Sequence, residues 1–556
     1  MRRFLEELRL KATERRATVA AVGLAVVALL VLLSTLPLTS LGAQDARFAA
    51  VFSGDEEFIA DGITRMITRP SLNYGFWWYP GFYMMTSATA ALLLRLAGVP
   101  LATGAVLAPR IVAAFALAAT VVATGLLAKQ LSGRWRSAWL AAALVATTPA
   151  FFEYGITAHP DTLQLAMLSV SLCLLAMAAE RATPSHLVAG SFAAGLAFAT
   201  KYGGAFLVPV VAVVAALLPL RGGAARTAVA SVRQALRSHL PRALLAFFAA
   251  TVVGAPSFWF NLRAFAIGVS THNRNVSFGY FERETAPGWH WLEMLADGGL
   301  VGRTWLWLSL LALLVVAWLL FSKRHARVRD VGAGAALRSE RRLGYAVVLL
   351  YIVLYLAFLM LHSRMFEPRY LYPVVPALLA LTTAALTDDA LVNRARLLAS
   401  MTVAGLALAL LLVLPPRLEL AAAVVRERAL RPSHPCAEVG RWLKDQVDLQ
   451  APIAYDHYTY VPAEFQNVVP SWAMTDAIAA QIDARIVITT ARIRDRFNAS
   501  VNPDLWRYGR EQFEASFAFY AAVESGRLPA YALAAQFPDC HGTRIYRRGV
   551  VPLEAR

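Results

Sequence analysis

Three adjacent carboxylates, Asp55, Glu56 and Glu57, stand in the stretch Phe52-Ser-Gly-Asp-Glu-Glu-Phe58, shortly after the first long apolar run. Acidic side chains beside a bilayer are expensive to hold and are commonly functional or turned to solvent. A carboxylate on such a turn can take a hydroxyl proton as a general base or help hold a divalent cation. The bland account is a solvated turn. Glu57, Asp61 and Arg65 recur at helical spacing and could form one exposed helical face.

Other residues invite the same weighing. In His159-Pro-Asp161, the acid is either a cap for the next helix or a second carboxylate facing Asp55. Lys201-Tyr202 ends a short apolar run. A lone lysine there can snorkel to the interface or pair with an anionic phosphate. The segment His362–Tyr370 carries Arg364, Glu367 and Arg369, which suit either an ion network or a phosphate. The stretch Asn73–Tyr83, with Tyr79 and Tyr83, is dense in aromatics. It reads as an interfacial belt, as a sugar platform, or as a groove wall. The loop Leu262–Gly299 holds His272 and His290, too far apart for a local metal motif. There is no phosphate-binding P-loop, dinucleotide fingerprint, nucleophile elbow or His-Glu-x-x-His. A nucleotide-driven pump and a serine hydrolase are therefore excluded.

The elements that must position these residues are membrane spans. The chain has 556 residues, 58% hydrophobic, with mean hydropathy +0.52. Soluble domains are usually about 45–50% apolar. Net charge is +17, but the basic residues sit between apolar runs, where the positive-inside bias would put them. That favours a membrane over a nucleic acid as the reason for the charge. Arginine far outnumbers lysine, which fits a GC-rich bacterial genome.

The run Thr18–Leu38 is long for a signal peptide and suits an uncleaved anchor. Further runs lie at 107–128, 137–155, 163–179, 187–200, 204–220, 243–261, 301–321, 343–361, 371–387 and 397–414. The basic connections Lys129–Arg136, Arg221–Arg242, Lys323–Arg342 and Arg394–Arg396 all fall on the cytoplasmic side if Phe82–Leu96 does not cross. The expected architecture is thus a polytopic α-helical membrane protein of about eleven spans with its N-terminus inside. The expected division is a basic cytoplasmic segment 1–16, a transmembrane catalytic domain 17–414 with an outer loop and juxtamembrane helices at 39–106, and an extracytoplasmic α/β domain 415–556. Charge bias alone then brings Asp55, His159, Asp161, Lys201, Tyr202, Arg364 and Arg369 to one outer face.

In the last part, Glu438–Val447 and Trp506–Glu524 read as helices. Ile453–Tyr455, Arg485–Thr490 and Arg544–Arg547 read as strands. Cys436 and Cys540 both fall here. They could pair outside the cytoplasm, though spacing does not show that the sulfurs meet.

Taken in order, the landmarks resemble the GT-C fold glycosyltransferases that use polyprenyl-phosphate sugars. The protein O-mannosyltransferase and aminoarabinose–lipid A transferase type is the nearest in look. The resemblance rests on Gly54-Asp-Glu-Glu-Phe58, Tyr79-Pro-Gly-Phe-Tyr83, Arg110, His159-Pro-Asp161, Phe198-Ala-Thr-Lys-Tyr202 and Arg369-Tyr-Leu-Tyr-Pro-Val-Val-Pro376. Gly440-Arg-Trp-Leu443 and Tyr455-Asp-His-Tyr458 look like the extracytoplasmic domain of bacterial members.

The resemblance implies a multi-pass enzyme of the bacterial inner membrane. It would move a sugar from a polyprenyl-phosphate donor to a lipid, glycan or protein hydroxyl on the outer face. It implies Asp55, Glu56 and Asp161 as catalytic residues and Lys201, Arg364 and Arg369 as ligands of the donor phosphate. Tyr79, Tyr83, Tyr202 and His159 would line the substrate groove. It demands no cofactor and leaves a divalent metal open. The rival reading is a transporter or flippase for a lipid-linked sugar. That would want ionisable residues at mid-membrane, whereas these sit at the ends of spans.

Overall fold

The computed structural model describes residues 2–43, 45–51, 53–69, 74, 79–221, 227–278, 287–321, 342–388, 415, 417–423, 434–497, 509–525 and 530–549. Helix α1 (Arg2–Thr39) carries the first apolar run and exposes Leu29, Leu30 and Leu33. Exposed leucines in a row on a helix this apolar are the surface that lipid covers. Helix α2 (Ala46–Ala50) starts on Asp45, which accepts the Arg47 N–H at 2.9 Å. Helix α3 (Gly54–Thr68) follows, then α4 (Phe82–Leu96), the segment expected not to cross. At 15 residues α4 is too short for a standard hydrocarbon core.

Helix α5 (Leu101–Ser132) is the long central post and stops at Gly133, whose φ of 72° is left-handed. The run expected at 137–155 is two helices, α6 (Trp135–Ala146) and α7 (Pro149–Gly155). Pro149 has no N–H to continue the ladder, so it opens a new helix. Helices α8 (Asp161–Arg181) and α9 (Pro184–Thr200) form an antiparallel hairpin packed on each other and on α5. The hairpin returns Lys201, which ends α9, to Asp161, which opens α8. Gly195 on α9 allows close approach of the helix Leu240–Gly254. A Cβ there would lie 2.2 Å from the Phe247 carbonyl oxygen. Helix α10 (Leu207–Arg221) completes this part after a 3₁₀ turn, Tyr202–Phe206.

Among the described residues, six stretches are long and apolar enough to cross a membrane: Ala17–Thr39, Leu101–Ser132, Asp161–Arg181, Tyr202–Pro219, Leu343–Leu361 and Pro368–Thr387. The described residues alone do not include all eleven expected runs. The runs at 187–200 and 243–261 form helices that are short or end at a break, such as Ala255-Pro256, whereas 301–321 forms the 19-residue helix Arg303–Phe321. The run 397–414 lies outside the described residues, as do the basic connections at 323–341 and 394–396.

The C-terminal part is a five-stranded sheet with helices. The strands are β1 (Ile453–Asp456), β2 (Val468–Ser471), β3 (Ile486–Thr489), β4 (Tyr531–Phe537) and β5 (Thr543–Arg548). Their order is β2-β1-β3-β5-β4, with β2, β1 and β3 parallel and β5 and β4 antiparallel to their neighbours. The helices Cys436–Gln446 and Arg510–Glu524 lie where helical spacing expects them. Residues 506–508 of the second expected helix lie outside the described residues. Two strands escape the sequence reading because both are edges. Strand β2 carries Pro470, tolerated only at an edge. Strand β4 is alanine-rich and bulged between Leu533 and Ala535.

This domain sits on the loop between α1 and α3. Arg47 Nη1 donates to the carbonyls of Pro462 (3.0 Å) and Phe465 (2.8 Å). Tyr460 Oη donates to Asp45 Oδ2 at 2.8 Å. Cys436 and Cys540 form a disulfide between the first helix of the domain and the turn joining β4 to β5. It closes a separation of 104 residues. Replacing both cysteines with alanine is expected to cost about 2–4 kcal/mol. This would read as a lower apparent Tm for the domain in detergent, reproduced in the parent protein by a thiol reductant and absent from the variant's response to it.

Candidate active site

Successive residues on a helix point about 100° apart. The first turn of α3 therefore sends its three carboxylates in three directions, and the structure gives each a different neighbourhood.

Glu56 points into the protein. Arg110 of α5 donates to it twice, Nε to Oε1 at 3.0 Å and Nη2 to Oε2 at 2.6 Å. Both side chains are fully buried. Arg110 Nη1 also donates to the carbonyls of Thr39 (3.1 Å) and Leu41 (2.6 Å), and Glu56 Oε1 accepts the Ala158 N–H at 2.5 Å. The pair thus ties the end of α1, α3, α5 and the loop before α8 together. Sequence reasoning expects Glu56 beside Asp55 in an acidic pair, but both its oxygens are occupied and turned away. It missed the importance of Arg110, whose signal was present: an arginine inside an otherwise apolar span.

Asp55 points toward the start of α8. Tyr79 Oη donates to Asp55 Oδ2 at 3.1 Å, and His159 Nε2 lies 3.1 Å from the same oxygen. His159 Nδ1 is in ion-pair contact with Asp161 Oδ2, and Asp161 Oδ1 meets Lys201 Nζ at 2.5 Å. Arg369, in the 3₁₀ turn Pro368–Val374, places Nη1 3.2 Å from His159 Nε2 and 3.7 Å from Asp55 Oδ2, while its Nε pairs with Glu367. Asp55, His159, Asp161, Lys201, Arg369 and Tyr79 form one connected cluster of alternating charge.

Burial pushes the Asp55 carboxyl up, but the hydrogen bond and charge of His159, then Arg369 and Tyr79, more than reverse this and hold it at about 2. Burial works against a charged His159, yet the two carboxylates flanking it raise its pKa above the ordinary value. Asp55 is thus an anion that faces out of the cluster, with its side chain about one-fifth exposed.

On the far side of Lys201 lies a cavity of ≈ 160 Å³. Lys201, Arg369, His272 and Tyr202 give it a cationic, polar end. Phe206, Val269, Phe358 and Leu359 give it an apolar wall. Burial, Lys201 and Arg369 push the His272 imidazole down to about 3, so it sits there neutral.

One expected groove residue, Tyr83, and one expected phosphate ligand, Arg364, stand elsewhere or at the margin. Tyr83 is buried and donates Oη to the Pro109 carbonyl at 2.8 Å, packing α4 on α5 rather than facing a groove. Arg364 lies on the loop before Arg369, its N–H donating to the Val276 carbonyl at 2.8 Å. Phe76, Trp77 and Trp78 of the aromatic stretch lie outside the described residues. Among the described residues, no group of three or more His, Cys, Asp or Glu is placed to hold a metal ion. Asp55 Oδ2 and both oxygens of Asp161 are turned to cations of the protein itself. The residues present do not fit a metal between them.

Glu57 points to the C-terminal domain, where its Oε2 lies 3.9 Å from His457 Nδ1. Burial, then the charge of Asp61, pushes its carboxyl up from 4.5 to about 7. Burial and Arg496 push His457 down to about 3. A carboxyl whose folded pKa is raised keeps its proton longer folded than unfolded. Its penalty is absent below about pH 4.5 and grows as pH rises toward 7. Glu57→Gln removes that penalty, worth about 3 kcal/mol at most. The difference in apparent Tm between variant and parent is expected to grow in favour of the variant from pH 5 to pH 7.5 and then level off.

Comparison with known proteins bears on the fold that carries this cluster. Residues 82–259 match the family model described as dolichyl-phosphate-mannose-protein mannosyltransferase. No curated protein sequence matches the chain. Among solved structures, the chain is similar to ArnT from Cupriavidus metallidurans bound to undecaprenyl phosphate, at 15% identity and TM-score 0.51, over 94% of this chain and 97% of that one. It is similar to the apo oligosaccharyltransferase of Archaeoglobus fulgidus at 11% identity and TM-score 0.53, over 89% and 72%. It is also similar to AglB of the same organism, in complex with an inhibitory peptide and a dolichol-phosphate, at 11% identity and TM-score 0.50, over 92% and 79%. Identities this low speak to the fold, and the matched segment speaks to the type of protein. Together they show that the chain has the GT-C fold of membrane glycosyltransferases.

Proposed function

We propose that the chain transfers a sugar from a polyprenyl-phosphate carrier to an acceptor hydroxyl at the outer face of a bacterial inner membrane, with inversion at the anomeric carbon and Asp55 as the base. One observation carries the reading. The cluster Asp55–His159–Asp161–Lys201, bridged by Arg369, joins an anion open to an acceptor with a cationic cavity that has an apolar wall. A lipid phosphate has that same division, a charged head and a hydrocarbon tail. Two of the similar structures are described with undecaprenyl phosphate and with a dolichol-phosphate, which supports the choice of donor.

In this reading the donor phosphate rests on Lys201 and Arg369, with Arg364 on the same loop as a further cationic ligand. The tail leaves along Phe206 and Phe358 into the bilayer. The acceptor O–H bond breaks toward the outward edge of the Asp55 carboxylate, away from the Oδ2 that Tyr79 and His159 hold, as the oxygen bonds to the anomeric carbon. The anomeric carbon–phosphate oxygen bond breaks in the same step, and polyprenyl phosphate departs with the electron pair. Lys201 and Arg369 stabilise the charge that builds on it. A carboxyl at about 2 is a weak base. An arriving phosphate competes for Arg369, which is one of the charges holding Asp55 low. Donor binding therefore makes Asp55 more basic at the moment it is needed.

Asp161 holds His159 and Lys201 in place between the two ends. Tyr79 orients Asp55, and Tyr202 lines the donor cavity. Surface chemistry of this kind is distinguished from transport by product formation in detergent, where a flippase has no second compartment and yields none.

Asp55→Asn is expected to lower kcat by about 10²–10⁴-fold while the protein inserts and melts as the parent does. Lys201→Ala and Arg369→Ala are expected to lower it by about 10²–10³-fold. The check is transfer by the purified protein from undecaprenyl-phosphate mannose, arabinofuranose or aminoarabinose to a panel of hydroxyl acceptors. Near-parental turnover by Asp55→Asn contradicts the assignment.

A further inference from the structure

The proposed reaction gives no work to the C-terminal domain, yet that domain touches the turn that carries Asp55. Trp472 follows β2 and His457 follows β1, at the carboxyl ends of neighbouring parallel strands. The sheet register holds them side by side. The His457 N–H donates to the Ser471 carbonyl at 3.1 Å, and the two rings stack with centroids 4.1 Å apart. The indole then meets α3 from outside. A Cβ on Gly54 would lie 2.4 Å from Trp472 Cη2, and the Phe58 ring lies stacked 6.3 Å from the indole. Gly54 immediately precedes Asp55. Here glycine is required by close approach rather than by a positive φ.

A second residue of the domain holds the chain just before this turn: the His541 imidazole Nε2 lies 3.2 Å from the Val51 carbonyl. The contact is therefore a seat with a fixed depth. The Glu56–Arg110 pair pulls the first turn of α3 inward, and the indole stops it from outside.

We propose that Trp472, backed by His457, is a positioning residue for Asp55, so that the C-terminal domain sets the distance between the base and the donor cavity. The proposal rests on the assignment of Asp55 as base. Displacing a reacting group by about 1 Å can cost about 10²-fold in rate. The ring partners of Trp472 are Phe58, His457 and Tyr458, none of them a residue proposed to hold the donor, so the proposal expects donor binding to be independent of it.

The test uses the full chain in detergent and three variants, Trp472→Ala, Gly54→Ala and the double variant. Trp472→Ala is expected to lower kcat by at least about 10-fold with donor KM within about 2-fold, and to speed hydrogen exchange in residues 53–58. Gly54→Ala is expected to lower kcat because its methyl meets the indole. The double variant is expected to recover activity relative to Gly54→Ala, because the added methyl then enters the space the indole leaves. Binding of undecaprenyl phosphate is expected to be unchanged throughout. Trp472→Phe, which keeps a ring in the seat, should fall between parent and Trp472→Ala, and it serves if the alanine variant does not fold.

A parental kcat in Trp472→Ala overturns the proposal, as does a double variant whose loss is the product of the two single losses. Turnover in Asp55→Asn, run in parallel, would instead sink the underlying assignment. A positioning failure with Asp55→Asn inactive leaves that assignment standing.

Discussion

The structure depends on one ion pair that water does not reach. Glu56 and Arg110 are both fully buried, doubly hydrogen-bonded to each other, and satisfied beyond that by the Thr39, Leu41 and Ala158 backbone. A buried pair is a poor source of net stability, but breaking one leaves a charge stranded and is costly. Its value here is location. It is the point where the end of α1, the first turn of α3, the middle of α5 and the loop before α8 are held at fixed separations. Asp55 is one residue away on a helix, so its direction is set once Glu56 is anchored. A loop carrying the same acid would have no such constraint.

From that anchor the charges alternate. Asp55 meets His159 and Arg369, His159 meets Asp161, and Asp161 meets Lys201. Each ion is taken out of water at a cost and is offset by a neighbour of opposite sign. The last cations of the series, Lys201 and Arg369, border the cavity. An anion placed there would extend the series rather than interrupt it. In the proposed reaction, the nucleophile's proton and the leaving group's charge would be joined by this single electrostatic network, which crosses four helical segments.

Much of this was legible in the residues, and the reasons are specific. Positive-inside bias placed Asp55, Asp161, Lys201 and Arg369 on one face without any knowledge of contacts, and the structure brings all four within one cluster. His159 was visible through its place in His159-Pro-Asp161. The Cys436–Cys540 pairing was visible only as an option. The roles inside the acidic triplet were not legible, because a helix separates neighbours by angle and the sequence does not say which direction is the core. Arg110 entered only as a landmark of the resemblance, with no partner assigned to it. Tyr83 was grouped with Tyr79 by composition, but four residues along, at the start of α4, it turns to Pro109 instead of Asp55. Pro149 and Pro256 open new helices inside apolar runs that hydropathy treats as continuous. Strands β2 and β4 were hidden by Pro470 and by alanine, residues that an edge accepts and a central strand would not.

The account stands or falls on where a lipid phosphate sits. The most direct measurement is a density map of the protein soaked with undecaprenyl phosphate. The account predicts phosphate oxygens within hydrogen-bond distance of Lys201 Nζ and the Arg369 guanidinium, the tail along Phe206 and Phe358, and Asp55 across the cluster with its free edge toward the headgroup. A phosphate bound elsewhere, with Lys201 and Arg369 still closed on Asp161, Glu367 and Asp55, would contradict it.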